Sequence, residues 1–134
     1  MRKILIFLII LGFLLSANYA YAGVSDLMPD SPFYFLKIWY EKLVLFFTFN
    51  AETKAEKYRL FAEKRALEAK QMVLKGKDSL VDGLKEKYTE YLNKAKDKLE
   101  AAIRKAVENK KEDIKKRLEQ KVDEITNKLL ESIL

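Results

Sequence analysis

Few residues in this 134-residue chain are of the types that carry out chemistry. It contains no histidine and no cysteine, which excludes thiol catalysis, Cys/His zinc sites, disulfides and Ser-His-Asp triads. The serines after position 22, with no histidine to activate them, are Ser25, Ser31, Ser79 and Ser132. The carboxylate pairs Asp78/Asp82 and Asp123/Glu124 stand among lysines at ordinary helix-surface spacing. The sequence therefore predicts a protein that is not an enzyme and takes no cofactor, metal or small-molecule substrate.

The N-terminal segment has the order of an export signal. A basic pair, Arg2-Lys3, precedes an apolar run over residues 4–15, and Ala20-Tyr21-Ala22 supplies small residues at a cleavage position. We expect a signal peptide over residues 1–22 and a protein that is secreted, periplasmic or held at the cell envelope. The alternative is an uncleaved segment that anchors the chain in the membrane with its C-terminus outside.

The charge of the remaining chain is modest and evenly distributed. Loss of Arg2 and Lys3 leaves 24 basic residues against 20 acidic ones, a net charge of +4. Opposite signs alternate, as in Glu63-Lys64-Arg65, which is typical of helix surfaces with ion pairs three or four residues apart. Nucleic-acid-binding proteins concentrate positive charge on one face instead. We therefore expect no nucleic-acid partner.

The apolar spacing predicts an all-α protein. Residues 23–32 are expected to form a linker and helix start, with Ser31 as N-cap and Pro32 at the first helical position. A helical domain over residues 33–134 follows. Its helices are expected at about 32–48, 51–75, 79–107 and 112–132. They would form an antiparallel bundle of three to four helices with a coiled-coil-like C-terminal half, and one long helix is the alternative to a break near Asn109.

The first helix is apolar almost all round. From Phe33 to Phe49, 13 of 17 residues are apolar, and Lys37 and Glu41 belong to a narrow polar stripe. Such a helix lies in the middle of a bundle, in a partner's groove or against lipid. We expect it to fill the core, since three amphipathic helices otherwise lack a core to surround. The alternative is an interaction or membrane surface made of Phe33, Tyr34, Trp39, Tyr40, Phe46 and Phe47.

The second helix is amphipathic and has a signal at each end. Asn50 is suited to its N-cap and Gly76 to its C-cap. Alanines recur along it at three and four residues, which predicts close packing against the bulky first helix. Leu60, Leu67 and Leu74 are expected to widen this apolar stripe.

Two stretches carry a recognisable pattern. Pro29-Asp30-Ser31-Pro32-Phe33-Tyr34-Phe35-Leu36-Lys37 reads Pro-x-Ser-Pro-x-Tyr-x-x-Lys, and Ala62-Glu63-Lys64-Arg65-Ala66-Leu67-Glu68-Ala69 reads Ala-Glu-x-Arg-x-x-Glu-Ala. Together with the turn Phe47-Thr48-Phe49-Asn50, they resemble a family of small exported helical domains catalogued as a domain of unknown function. The resemblance covers residues 27–76 and fades in the lysine-rich C-terminal half. It implies an extracytoplasmic helical domain and brings no activity with it.

The charged residues of these stretches predict structural ion pairs. Lys37, Glu41, Arg65 and Glu68 are expected to pair beside the apolar seam between the first two helices.

Amphipathic helices without a catalytic set are typical of interaction modules. We expect an exported, non-enzymatic protein-interaction or envelope-associated module, whose partner is another exported protein or a second copy. One alternative is a peripheral membrane protein that uses the aromatic helix 33–49. Another is an extracytoplasmic chaperone-like protein.

Overall fold

A computed structural model describes residues 26–133 of the chain. All regular structure in this range is helical: α1 is Tyr34–Phe46, α2 is Ala51–Leu74, α3 is Val81–Glu108 and α4 is Glu112–Ile133, with a short 3-10 helix, Asp78–Leu80, ahead of α3. The predicted all-α fold class is confirmed. The signal peptide expected over residues 1–22 lies outside the described residues.

Short connections join consecutive helices. Four residues separate α1 from α2, six separate α2 from α3, and three separate α3 from α4. The third helix packs against both α2 and α4. Because connections this short reverse the chain, α3 runs antiparallel to α2 and to α4, as the sequence predicted.

The ends of α2 follow their local signals. Asn50 Oδ1 accepts a hydrogen bond from the Thr53 N–H at 2.9 Å, the bond of an N-cap. At the other end Gly76 has a φ of +66°, and the Lys77 N–H donates to the Met72 carbonyl at 2.8 Å. This pattern needs a left-handed residue after the helix, which glycine adopts without a steric penalty.

The break between α3 and α4 has the same geometry without glycine. Lys110 has a φ of +53°, and the Lys111 N–H donates to the Ala106 carbonyl at 2.9 Å. The Asn109 Nδ2 donates to the Lys105 carbonyl at 2.8 Å, which satisfies a further group at the helix end. The chain therefore forms two helices here, the reading that the sequence favoured over one long helix.

The hydrophobic core lies among α2, α3 and α4. Its buried members from these helices are Ala55, Phe61, Ala62, Tyr91, Leu92, Ala95, Leu99, Leu118 and Ile125. The first helix adds Leu45, with Val44 packed partly against the cluster. Tyr91 brings α3 against α2, because its ring centre lies 5.9 Å from that of Tyr58 and 6.4 Å from that of Phe61.

The expectation that the first helix fills the core with its aromatic residues is wrong. The exposed large side chains in this region include Phe33, Phe35, Trp39, Phe46 and Phe47. The stripe expected along α2 is also narrower, since Leu60, Leu67 and Leu74 are exposed while Arg65 and Glu68 are buried. The physical reason for the outward aromatic residues is that the buried charges of α2 need charged partners. The polar stripe of α1 supplies Glu41 as a partner of Arg65, so this stripe faces α2.

Contacts divide the chain into two compact units between Tyr40 and Glu41. In the N-terminal unit Ser31 leads into α1, since its Oγ accepts from the Phe33 N–H at 3.2 Å and its carbonyl from the Tyr34 N–H at 3.1 Å. The helix then begins at Tyr34, two residues later than the sequence predicted. Lys37 ties the helix to the preceding turn, because its Nζ donates to the Leu27 carbonyl at 3.1 Å.

Candidate binding surface

Arg65 of α2 lies between two carboxylates in the interior of the bundle. Its Nη2 donates to Oε1 of Glu41 at 3.0 Å and to Oε1 of Glu68 at 3.1 Å, and its Nε lies 3.0 Å from Oε2 of Glu68. The side chains of Arg65 and Glu41 are each 1% exposed, so they pair out of contact with water. Because buried charges are tolerated only when they are paired, this cluster fixes α1 against α2.

The charges of this cluster affect the pKa of Tyr91 in α3. Burial raises the pKa of the Tyr91 phenol, the Glu41 carboxylate raises it further, and Arg65 lowers it. The phenol therefore stays neutral throughout the physiological range. It adds bulk beside the ion pair without adding a charge.

Lys37 is the fourth residue for which the sequence predicted an ion pair, and it too is buried. In the N-terminal unit its ammonium group donates to the Leu27 carbonyl and lies 5.9 Å from the centre of the Tyr34 ring. Lys37, Glu41 and Leu45 follow one another at intervals of four residues in α1, and all three are buried. The stripe that looks solvent-facing in the sequence is thus the covered side of this helix.

The opposite side of α1 is aromatic and exposed. Phe35, Trp39 and Phe46 have exposed fractions of 62%, 60% and 69%, and Lys42, which falls between them in the helical repeat, is also exposed. Positions 35, 39, 42 and 46 share one face of an α-helix. These four residues are termed the outward face of α1. Its charge is positive, since Lys42 is the exposed charged residue of α1.

The six residues predicted for a binding surface divide into two groups. Phe33, Trp39, Phe46 and Phe47 are exposed, whereas Tyr34 and Tyr40 are half-buried. The rings of Phe46 and Phe47 meet edge to face with centres 5.2 Å apart. Sequence reasoning missed Phe35 and Phe49, which are also exposed. The signal for Phe35 was its position one turn before Trp39, on the same helix face.

Two clefts open among α2, α3 and α4. One, of about 270 Å³, is lined by residues that include Glu52, Glu56, Arg59, Lys121 and Glu124. The other, of about 370 Å³, lies where the α3–α4 break meets the start of α2.

Several of the charged groups that line these clefts pair with one another. Glu52 bonds to Arg117 at 2.8 Å and to Lys121 at 3.2 Å, which ties α4 to α2. The hydrogen bond from Arg59 lowers the pKa of Glu56, and the same bond raises the pKa of Arg59. The Glu52 pairs therefore stabilise the packing of α4 on α2, and the Glu56–Arg59 pair stabilises α2 itself. Within residues 26–133 no group of three or more acidic side chains is arranged to hold a metal ion.

One further property of the helices concerns the membrane. No helix within residues 26–133 is both long enough and apolar enough to cross a bilayer.

The fold and the surface define a class of protein: an all-α bundle whose first helix buries Lys37 and Glu41 and exposes Phe35, Trp39 and Phe46. The chain belongs to the family described as Domain of unknown function (DUF5667), whose model matches residues 26–130. The match runs through α3 and into α4, so it is wider than the resemblance over residues 27–76. No curated protein and no solved structure gives a significant match.

Proposed function

We propose that this protein is an exported, non-enzymatic binding module of the cell envelope, and that the outward face of α1 is its binding surface. The observation that supports this most strongly is the burial pattern of α1. Glu41 is buried against Arg65, while Trp39 and Phe46 are exposed.

This pattern has an energetic cost if the protein only has to fold. Burying a large apolar side chain contributes about 1.5–3 kcal/mol, and each exposed aromatic residue forgoes most of it. A half-turn of α1 about its axis would turn Phe46 towards the bundle and return Glu41 to water. The bond between Glu41 and Arg65 holds the opposite orientation. An aromatic face kept outward by a buried ion pair is suited to binding another molecule.

Export is supported by the sequence. The basic pair, the apolar run 4–15 and Ala20-Tyr21-Ala22 have the order of a signal peptide. The motifs around Lys37 and Arg65 resemble those of exported helical domains. A binding module outside the cytoplasm meets the membrane surface, other exported proteins and further copies of itself.

Photo-cross-linking in cells that export the full chain tests the proposal. A photoreactive amino acid replaces Phe46 in one variant and Leu130 of α4 in the matched control, where the native side chain is 57% exposed. We expect an adduct of defined mass from position 46 that position 130 does not give. Equal yields from the two positions would mean that the outward face of α1 binds nothing selectively.

A further inference from the structure

We infer that the outward face of α1 binds an anionic lipid surface, with Phe35, Trp39 and Phe46 at the boundary of the acyl chains and Lys42 at the headgroup phosphates. This inference rests on the proposed function and names its partner. The helix would lie in the plane of the interface, because its other side is held on the bundle by Glu41 and Arg65.

The residue types of this face match those that interfaces select. Tryptophan is enriched where lipid headgroups meet acyl chains, since its ring is large and apolar yet carries an N–H donor. Phenylalanine extends the apolar contact on either side of Trp39. Positions 35 to 46 extend over roughly 16 Å of helix at 1.5 Å per residue. A stripe of this length reaches several lipids along the interface.

The charge of the face favours lipid phosphates over a second copy. Lys42 is exposed, whereas the acidic residue of α1, Glu41, is buried against Arg65. Two copies joined symmetrically through this face would bring Lys42 of each against a surface of α1 that has no exposed carboxylate. Such burial of an unpaired charge is unfavourable. Anionic headgroups supply the missing negative charge, and the lysine stem can follow the apolar surface to reach them.

The position of α1 in the chain also places this face near a membrane. The apolar run ends at Leu15, and 18 residues separate it from Tyr34, where α1 begins. An extended segment of that length reaches at most about 60 Å. If residues 1–22 stay in the membrane, α1 is tethered within reach of its surface. If they are removed, export still releases α1 at the outer side of the same membrane.

Fluorescence of Trp39 tests the inference directly, because the chain contains one tryptophan. The protein is recovered from exporting cells in its processed form and mixed with phosphatidylcholine vesicles or with equimolar phosphatidylcholine–phosphatidylglycerol vesicles. We expect a blue shift of emission, and quenching by lipids with brominated acyl chains, on the anionic vesicles and much less on the neutral ones. If the N-terminal segment is retained, the protein is reconstituted into the same two lipid mixtures and the brominated-lipid quenching is compared.

Two variants keep Trp39 as the reporter. Phe35→Glu puts a carboxylate on the outward face and should weaken vesicle binding about tenfold or more. Leu130→Glu makes the same change at an exposed position of α4 and should leave binding unchanged. Helix content, from circular dichroism, must match the parent in both variants.

One result would overturn the inference, and two further measurements then show whether the proposed function still stands. If aqueous iodide still quenches Trp39 at saturating lipid, the outward face of α1 does not bind the membrane. If the emission of Trp39 then shifts with protein concentration as dimers form, a second copy covers the face and the proposed binding function stands. If Trp39 stays exposed in both tests and position 46 gives no selective adduct, the proposed function fails as well.

Discussion

Arg65 of α2 and Glu41 of α1 form an ion pair between helices, with 3.0 Å between Nη2 and Oε1 and 1% of each side chain exposed. The two residues are 24 positions apart in the sequence, so the contact is tertiary. It accounts for the orientation of α1, because the buried Glu41 carboxylate requires a cationic partner and Arg65 supplies it. The aromatic residues are exposed as a consequence of where this pair is buried.

Replacement of Arg65 by methionine should destabilise the protein strongly. Methionine has a similar length, so the main loss is the positive charge between Glu41 and Glu68. Two buried carboxylates would then lose the arginine that they share. We expect a decrease of about 3–5 kcal/mol in the free energy of unfolding. Urea denaturation followed by circular dichroism measures it.

Arg59→Met is the matched control in the same helix. Arg59 also pairs with two carboxylates, those of Glu56 and Glu63, but on a partly exposed surface. Its loss should cost about 1 kcal/mol or less. Equal losses for the two arginines would contradict a special role of the buried pair. A reciprocal charge reversal at positions 41 and 65 is a poor probe, because the carboxylate introduced at 65 would face Glu68.

Features that depend on neighbouring residues could be predicted from the sequence. The N-cap at Asn50, the left-handed end at Gly76 and the break near Asn109 each follow from the chemistry of a few adjacent positions. The orientation of α1 could not be predicted in this way. A helix that is apolar on nearly every side gives no preference for which side is buried.

The polar stripe of α1 shows why. Lys37 and Glu41 look solvent-facing when the helix is considered alone, because charged residues are rarely buried without partners. The partner of Glu41 is Arg65, which is 24 positions away in the sequence. Local periodicity cannot predict a contact over that separation. The ion-pair hypothesis included Glu41, Arg65 and Glu68, which lie together in the structure, but its consequence for the aromatic face was not drawn. Phe35 and Phe49 were missed for that reason.

Substitutions at the two residues with positive φ, Gly76 and Lys110, should change the free energy of unfolding in opposite directions. Gly76→Ala should lower the free energy of unfolding by about 1 kcal/mol, because a Cβ is disfavoured at φ +66° although nothing lies within 4 Å of it. Lys110→Gly should raise stability by up to about 1 kcal/mol, since Lys110 bears that strain already. Gly83→Ala is the matched control: its Cβ also meets open space, but in a helix, so alanine should stabilise by about 0.5–1 kcal/mol. Losses at both glycines would show that backbone conformation does not decide the sign.

Processing of the N-terminus is a separate prediction. Cells that export the full chain should yield a protein whose intact mass and N-terminal sequence correspond to a start at Gly23, after cleavage behind Ala22. Ala22→Leu removes the small residue that the peptidase requires and should leave the full-length form. Ser25→Leu, outside the cleavage motif, should be processed normally. Recovery of the full-length parent protein would instead support the anchored alternative.

Glu90 of α3 links stability to acid pH. Hydrogen bonds from Lys87 and Lys94, at 2.5 and 2.6 Å, lower the pKa of this carboxyl. Since its pKa is lower in the folded protein than in the unfolded chain, the contribution of Glu90 to stability is complete above the unfolded value of about 4.3. That contribution is lost as the pH falls through the folded pKa. The hydrogen bond to Glu90 also raises the pKa of Lys94, so this lysine stays charged throughout the acid range.

Glu90→Gln should therefore cost stability at neutral pH and almost none in acid. We expect a decrease of roughly 0.5 kcal/mol at pH 7, because the pairs are on the surface, and convergence of parent and variant as the pH falls through the lowered pKa of Glu90. Glu86→Gln, one turn earlier at an exposed position of α3, is the control for the same change of side chain and is measured over the same pH range. Thermal or urea midpoints between pH 2.5 and pH 7 measure both. A parent–variant difference that persists undiminished in acid would mean that Glu90 acts through packing and not through its charge.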